Sequence, residues 1–451
     1  MITRRSKWIS AVSVLTLVLV ACGDDDDDDG AATETTGAAP ATTAGEAPAT
    51  TAAEAPATTA AEAPATTSAE APATTGGGTP TGEPITIGVL TSVTGNFAPW
   101  GVQVRDGMQL AVDDINAAGG VAGRPLALEV SDDQTDPDRG ATEIERLIEG
   151  GAVAVGGVIS TDVALATAQT AEELQTPLFL VKAGSEAILT RDSRYTFRTC
   201  LPAAPMVAGP IAQFAENEGL SRIGVIIADY GWGQAFRSAI ENEFADLEGV
   251  ELKVEVAPVP ETDFTTYLRS LEEFDPELIV ATGHPPGSGP ITVQSADLGM
   301  DVPVTGAYSP WALVMSGAGD AALDRYYDFD CADYESPEYQ DLAVRYLEMS
   351  ENPFMEDDAV AGYGIVTMVA QAVEEVGDDP VAIAEYLHAN TFDLPGYPFE
   401  MGWTEWGELA TAQPMFSVVR SGEAPEGLNE AGDWYPVALL LPEPLEPYEP
   451  Q

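Results

Sequence analysis

The stretch from Ile85 to Pro137 decides the fold: ITIGVLTSVTGNFAPWGVQVRDGMQLAVDDINAAGGVAGRPLALEVSDDQTDP. It opens with a short, β-rich apolar run, Ile85 to Leu90, and continues into Gly107 to Asn116, where apolar residues recur at helical spacing. A second strand-like run follows at Leu126 to Val130. Strand, helix and strand in this order are typical of a βαβ unit with parallel strands.

The same alternation continues along the chain. We predict further strands at 152–155, 177–181, 223–228, 254–256, 278–281 and 302–304, and further helices at 141–149, 163–174, 207–218, 234–247, 265–273 and 291–298. Crossover helices cover both faces of a parallel sheet. The sequence therefore predicts an α/β protein with two sheet units in series, and a chain of 451 residues is long enough for two domains.

The first 22 residues carry the features of an export signal. Bases at positions 4, 5 and 7 precede an apolar run, Ile9 to Ala21, that is too short to span a bilayer. The sequence Leu-Val-Ala-Cys at 19–22 resembles the lipobox of bacterial lipoproteins. The resemblance implies that residues 1–21 are removed and that Cys22 is diacylated. The alternative is an ordinary signal peptide with an incidental cysteine.

Residues 22–83 are predicted to be a disordered tether. Six consecutive acids, Asp24 to Asp29, repel one another, and four eight-residue repeats of the form AEAPATTA follow from Gly45. Ala, Thr, Pro and Glu cannot bury enough apolar surface to offset chain entropy. A solenoid of such repeats would have no core.

The composition excludes several classes of function. The chain has 74 acidic and 18 basic residues, a formal net charge of −56, so nucleic acid would be repelled. This charge indicates either a cation-attracting site or, as the more ordinary alternative, a solubilising surface. With two histidines and no G-x-S-x-G or P-loop motif, we predict neither an enzyme nor a metal or cofactor site. After Cys22 the only cysteines in the sequence are Cys200 and Cys331. They are either joined in a disulfide, which an oxidising exterior favours, or present as two buried thiols.

The whole pattern resembles a known family. The opening stretch and the later segments TPLFLVKAG, YTFRTC, IIADYGWGQAF, DFTTYLRSLEEFDPELIV and AGYGIVTMVAQAV are similar, in order and spacing, to leucine/isoleucine/valine-binding proteins of the type I periplasmic-binding-protein superfamily. The resemblance implies two Rossmann-like lobes joined by three crossings near Cys200, Cys331 and Gln413. Lobe 1 would comprise 84–200 plus 331–413, and lobe 2 would comprise 201–330 plus 414–451. Because Cys200 and Cys331 would lie on neighbouring crossings, the resemblance also favours a disulfide between them.

Candidate ligand-binding residues lie in the predicted loops that follow strands, where open α/β sheets bind ligands. These loops are 91–101, 156–161 and 182–185, and their hydroxyls and backbone N–H groups suit a carboxylate or carbonyl. The resemblance assigns the ligand's carboxylate and amino group to Ser160, Thr161, Ala183, Gly184 and Ser185. It also implies that Trp100 lines the cavity and that Tyr230 closes over it. Helix N-capping is the alternative role for the serines and the threonine.

The sequence departs from the family's pattern on the second lobe. Tyr308 stands where relatives that bind branched-chain amino acids carry an acid, and His284 stands at a position that is usually Tyr. A buried ammonium needs a charged or fully hydrogen-bonded partner. Either Asp357 or Asp358 supplies that partner, or the ligand has no ammonium group. His284 is expected to be a neutral pocket residue rather than a metal ligand.

The resemblance implies a function in solute capture. The chain would be the extracytoplasmic, membrane-anchored binding subunit of an ABC importer, working with permease and ATPase subunits. Its ligand would be a small amino-acid-like, carboxylate or amide molecule. A ligand-sensing receptor subunit of the same fold is the alternative.

Overall fold

The structure is a computed structural model that describes residues 80–245, 247–440 and 443–451. The predicted signal peptide, the lipidation site at Cys22 and nearly all of the predicted tether lie outside the described residues. Within those described ranges, no helix is both long and apolar enough to cross a bilayer.

Twelve strands and eleven α-helices are assigned in the described residues. The strands are β1 (Ile85–Thr91), β2 (Leu126–Asp132), β3 (Val155–Val158), β4 (Leu178–Leu180), β5 (Thr196–Arg198), β6 (Arg222–Ala228), β7 (Glu251–Ala257), β8 (Leu278–Ala281), β9 (Val304–Thr305), β10 (Tyr326–Asp330), β11 (Met415–Ser421) and β12 (Trp434–Leu440). The helices are α1 (Ala98–Ala117), α2 (Pro137–Glu149), α3 (Thr161–Glu173), α4 (Ala204–Glu218), α5 (Gly231–Ala245), α6 (Thr265–Phe274), α7 (Ser288–Asp297), α8 (Trp311–Ala318), α9 (Pro337–Met349), α10 (Asp357–Val376) and α11 (Pro380–Ala389).

The strands form two separate sheets. The first has the order β2-β1-β3-β4-β5, and all of its strands are parallel. The second has the order β12-β11-β10-β9-β8-β6-β7. It is parallel from β7 to β10, whereas β11 and β12 add an antiparallel edge. The predicted α/β class with two sheet units is confirmed, and the antiparallel edge is an addition that the sequence pattern did not predict.

The chain passes between the two sheets three times. After β5 it leaves the first sheet for α4 and the second sheet, and after β10 it returns through α9, α10 and α11 before β11 rejoins the second sheet. Helix α10 packs tightly on α1 of the first lobe. A Cβ on Gly107 would lie 2.0 Å from the Ala359 carbonyl oxygen, and one on Gly362 would lie 2.3 Å from the Val104 carbonyl oxygen. The exact lobe boundaries stay a prediction.

Two predicted loops are shorter than expected. Helix α1 begins at Ala98, so Trp100 and Gly101 lie in its first turn rather than in a loop, because Pro99 is well tolerated there. Strand β3 begins at Val155, three residues later than predicted, and runs through the glycine pair 156–157 to Val158. Its pairing with β4 is irregular at this point, and Gly157 has φ +103, a conformation that favours glycine.

Candidate functional site

The predicted ligand-binding residues lie where the carboxyl ends of both sheets meet. On the first lobe, Trp100 follows β1, Ser160 and Thr161 follow β3, and the 183–185 loop follows β4. On the second lobe, Tyr230, His284 and Tyr308 follow β6, β8 and β9 in turn. Asp358 is the exception, because it is the second residue of α10. The carboxyl edge of an open parallel sheet is where ligands bind.

Aromatic rings connect the two lobes across this junction. Phe97, at the N-cap of α1, lies 5.3 Å from Trp100 and 5.2 Å from Tyr230, measured between ring centroids. Tyr230 in turn lies 6.3 Å from His284. Trp100 is buried, and its indole Nε1 has no hydrogen-bond partner. Phe97 was not predicted as a site residue, although it stands three positions before Trp100 in the same predicted loop, 91–101.

Two glycines allow the strand-end loops of the two lobes to touch. A Cβ on Gly184 would lie 2.4 Å from the Trp232 ring, and a Cβ on Gly231 would lie 2.7 Å from Thr161 Cγ2 and 2.5 Å from Asp162 Oδ1. Contacts this short would force neighbouring atoms to move. The lobes are therefore in direct contact here, and the arrangement is closed.

The start of α3 presents donors that no protein group uses. Ser160 is the N-cap residue, but its side chain makes no capping hydrogen bond. Thr161 is fully buried, and its Oγ1 has no hydrogen-bond partner. The N-terminus of a helix carries partial positive charge and unpaired N–H groups. This corner of the junction is thus suited to an anionic or carbonyl group, and side-chain capping does not explain Ser160.

Arg198 holds the 183–185 loop in place. It is fully buried and donates to the carbonyl oxygens of Ala183 and Ser185, the latter at 2.7 Å. Its charge is balanced by the buried carboxylate of Glu408, whose Oε2 lies 2.9 Å from Arg198 Nε. The Ser185 hydroxyl accepts the Ala187 N–H at 3.3 Å, which is a local turn bond. Arg198 was not predicted as a positioning residue.

His284 is a buried, neutral imidazole. It is 1% exposed, and burial lowers its pKa to about 4 against a smaller, opposing effect of the Val259 backbone. Neither ring nitrogen makes a hydrogen bond of ordinary geometry. A neutral ring with unused nitrogens can donate to or accept from a ligand. The role of His284 as a pocket residue stays a prediction.

Tyr308 sits in a strained turn against a lysine. Its backbone is left-handed, with φ 64, and its N–H donates to Asp328 Oδ1 at 2.6 Å. The Lys182 ammonium lies 4.9 Å from the centroid of the Tyr308 ring. Lys182 belongs to the first-lobe loop and Tyr308 to the second, so this cation–π contact also joins the lobes.

Lys182 forms a buried ion pair at the same junction. Its Nζ lies 2.8 Å from both carboxylate oxygens of Asp357 and 3.8 Å from Asp358 Oδ1. Burial alone would lower the pKa of the ammonium, but the charges of Asp357 and Asp358 outweigh it and raise that pKa. Burial raises the pKa of Asp358 well above its usual value, with the Lys182 charge opposing. Lys182 is the first residue of the predicted loop 182–185, yet it was not predicted as a site residue.

A disulfide lies beside this ion pair. Cys200 and Cys331 are joined in the structure, with Cα atoms 5.2 Å apart, and both are buried. They stand at the first and second passages of the chain between the sheets. Asp357 comes close to both sulfurs. Because disulfide sulfurs offer no thiolate, these three residues are not a metal site.

Two surface cavities lie away from these loops. One, of about 520 Å³, is lined by residues that include Met300 and Arg325. The other, of about 680 Å³, lies between α4 and the C-terminal segment and includes Phe214 and Phe416. Neither contains a predicted ligand-binding residue. The buried polar atoms without partners, rather than an open cavity, mark the interlobe junction as the candidate site.

The sequence profile of the periplasmic binding protein family matches residues 84–423. This chain belongs to that family. Over 335 residues it is 25% identical to the leucine-, isoleucine-, valine-, threonine-, and alanine-binding protein of Pseudomonas aeruginosa, a match covering 72% of this chain and 87% of that one. It is 24% identical over 348 residues to Leu/Ile/Val-binding protein homolog 3 of Brucella melitensis, covering 74% and 91%. The predicted family is confirmed.

Solved structures share the fold of this periplasmic binding protein. A leucine-binding protein from Thermotoga maritima superposes with a TM-score of 0.67 at 21% identity, over 78% of this chain and 98% of that one. A solute-binding protein of an ABC transporter from R. palustris, in complex with benzoate, superposes with a TM-score of 0.69 at 20% identity, over 81% and 98%. The predicted type I fold with two lobes is confirmed. The family comprises extracytoplasmic substrate-binding proteins of transporters rather than enzymes.

Proposed function

We propose that this chain is the capture subunit of an ABC importer for a small amino-acid-like, carboxylate or amide solute. In this proposal, acyl chains on Cys22 anchor it to the outer face of the cell membrane. Residues 22–83 tether the binding fold, which delivers its solute to permease and ATPase subunits.

One observation carries the proposal. Loops from both sheets meet around buried polar atoms that have no hydrogen-bond partner among the described residues, on the side chains of Trp100, Thr161 and His284. Buried polar groups without hydrogen bonds cost about 1–3 kcal/mol each. A small polar solute enclosed between the lobes would satisfy them and offset that cost.

The proposed mechanism is hinge closure. A solute that contacts both lobes stabilises the closed state over the open one by its differential affinity for the two. In the closed state, the contacts at Gly184 and Gly231 leave no room for a side chain at either position. The three passages of the chain between the sheets would act as the hinge.

Calorimetry of the purified protein tests the capture function. The panel is the L-amino acids, aromatic acids including benzoate, and short amides. We expect saturable binding of at least one compound with a stoichiometry of one, lost when Trp100 and Tyr230 are both changed to Ala. Absence of binding by every compound, with a folded protein, would contradict the proposal.

Membrane fractionation tests the anchor. We expect the full-length protein to sediment with membranes, and Cys22→Ala to be released into the soluble extracytoplasmic fraction, because the acyl chains supply roughly 0.8 kcal/mol per buried CH₂. Equal membrane association of the two proteins would contradict lipid anchoring.

A further inference from the structure

A strap, residues 443–451, follows the second sheet and lies against both lobes. On the second lobe it forms one wall of the surface cavity of about 680 Å³, and α4 forms the opposite wall. The Phe214 ring of α4 packs on Phe416 of β11, with 5.6 Å between ring centroids, so α4 belongs to the second sheet. The strap therefore starts on the second lobe.

The strap is also hydrogen-bonded to the first lobe. The indole Nε1 of Trp406 donates to the Tyr448 carbonyl at 3.1 Å. Trp406 is partly buried against the apolar residues of β3 and β4. The next residue, Gly407, accepts the backbone N–H of Arg198 in β5 at 3.0 Å. Trp406 is therefore fixed on the first sheet, and it holds the strap there.

Tyr448 is the strap residue that contacts both lobes. Trp406 binds its carbonyl, and its N–H donates to the Met206 sulfur, in the first turn of α4, at 3.3 Å. A few residues earlier, the Leu445 N–H donates to the Ala412 carbonyl at 2.8 Å. Met206 follows the first passage of the chain between the sheets, and Ala412 precedes the third. The strap thus runs alongside two of the three passages.

The strap lies close to a ligand-binding loop as well. Arg191, a few residues beyond the loop 182–185, forms an ion pair with Glu449 at 2.6 Å. Within that loop, the Gly184 carbonyl accepts the N–H of Ala204, the first residue of α4, at 2.9 Å. The loop, the start of α4 and the strap therefore form one continuous set of contacts across the two lobes.

Hinge rotation affects the strap differently from the three covalent passages. Rotation about a hinge changes the distances between the two lobes, whereas contacts inside each lobe persist. The covalent passages absorb the rotation without breaking. The strap can keep its contacts to one lobe only, because its bonds to Trp406 and to Met206 act on the same residue from opposite lobes. Contacts made in one state alone shift the equilibrium toward that state.

We propose that the strap is a fourth, non-covalent link between the lobes that stabilises the closed state and slows release of the solute. This inference rests on the proposed function, because the closed state is the one that holds the solute. No strap residue is a candidate ligand-binding residue, so Trp406 and Tyr448 act by positioning the lobes. The strap thereby sets how long the solute stays bound.

Two variants test the strap. A chain that stops after Glu446 loses Tyr448 and Glu449 but keeps the strap residues that line the cavity. Trp406→Phe removes only the indole donor and keeps an aromatic ring. One net hydrogen bond corresponds to about a 2- to 10-fold change in an equilibrium constant. We expect affinity to fall about 2- to 10-fold in Trp406→Phe and about 5- to 30-fold in the shortened chain.

The assay is stopped-flow tryptophan fluorescence with the compound that the wild type binds most tightly, from the panel of L-amino acids, aromatic acids and short amides. The loss of affinity should appear as faster dissociation, with the association rate within about two-fold of wild type. A merely structural loss would not divide between the rates in this way. Trp406→Phe added to the shortened chain is the control, and it should have no further effect because its partner is already gone.

The outcomes distinguish the strap from solute capture. Wild-type dissociation rates in both variants, or additive effects of the two changes, overturn the strap and leave solute capture standing. Circular dichroism checks that the shortened chain is folded, and if it is not, Trp406→Phe in the full chain decides. Absence of binding by the wild type to every compound contradicts solute capture, and the role of the strap with it.

Discussion

Replacing Gly231 with Ala should block closure without harming the fold. Gly231 is the first residue of α5, where Ala is the better helix former, so the second lobe should be no less stable. In the closed arrangement, however, the new Cβ would lie 2.5 Å from Asp162 Oδ1 and 2.7 Å from Thr161 Cγ2, both on the first lobe. Overpacking of this kind costs about 1–3 kcal/mol. Because only the closed state carries the clash, affinity should fall by about 5- to 150-fold.

The assay combines calorimetry with urea unfolding, using the tightest compound of the amino-acid panel. Gly209→Ala is the matched control, since Gly209 also lies in a helix but the nearest atom to its added Cβ is 4.0 Å away. We expect both variants to unfold at or above the wild-type urea midpoint, and only Gly231→Ala to bind weakly. Wild-type affinity in Gly231→Ala would refute the closed arrangement of the lobes.

Three further predictions concern stability. The folded-state pKa of His284 is lowered to about 4 by burial, below the unfolded value of about 6.5. The free energy of unfolding should therefore be highest above pH 6.5, where His284 is neutral in both states. It should fall by about 3 kcal/mol as the pH drops from 6.5 toward 4. Measured by urea unfolding, the free energy of unfolding of His284→Gln should lack this part of the pH dependence. If the variant and the wild type show the same dependence on pH, the prediction is wrong. Arg198→Met leaves Glu408 buried and unpaired, so the free energy of unfolding should fall by about 3–5 kcal/mol; a loss below about 1 kcal/mol would show that the pair is not closed off from water. Cys331→Ser opens a cross-link between residues 131 positions apart and should cost about 2–4 kcal/mol, whereas an unchanged unfolding midpoint would mean that the disulfide does not form.

Local sequence signals predicted most of the fold. The strand at Leu278 to Ala281 matched its predicted ends, and α2, α4 and α5 began only a few residues earlier than predicted. The spacing of apolar residues along the sequence predicts such helices and strands because each packs one face against a neighbour. The same spacing does not predict at which point the chain returns to a sheet that it has left. The antiparallel edge of β11 and β12 forms because the chain passes between the lobes a third time, and no local sequence pattern marks that passage.

The candidate site was predictable only in part. Ser160 was predicted because strand ends are ligand sites in this class of sheet, whereas Tyr230 was predicted from the resemblance to the family. The pairs that support them join distant residues: Lys182 and Asp357 are 175 positions apart, and Arg198 and Glu408 are 210 apart. Sequence spacing has no information about such contacts. Likewise, spacing does not show that Asp357, rather than Asp358, is hydrogen-bonded to Lys182.

Hydrogen–deuterium exchange with and without the tightest bound compound tests the central claim most directly. If a solute is gripped between the lobes, peptides covering the strand-end loops of the first sheet (97–101, 159–162 and 182–185) and of the second sheet (229–232 and 283–287) should gain protection together. Protection confined to the loops of one sheet, or to the surface cavity between α4 and the C-terminal segment, would contradict capture by closure.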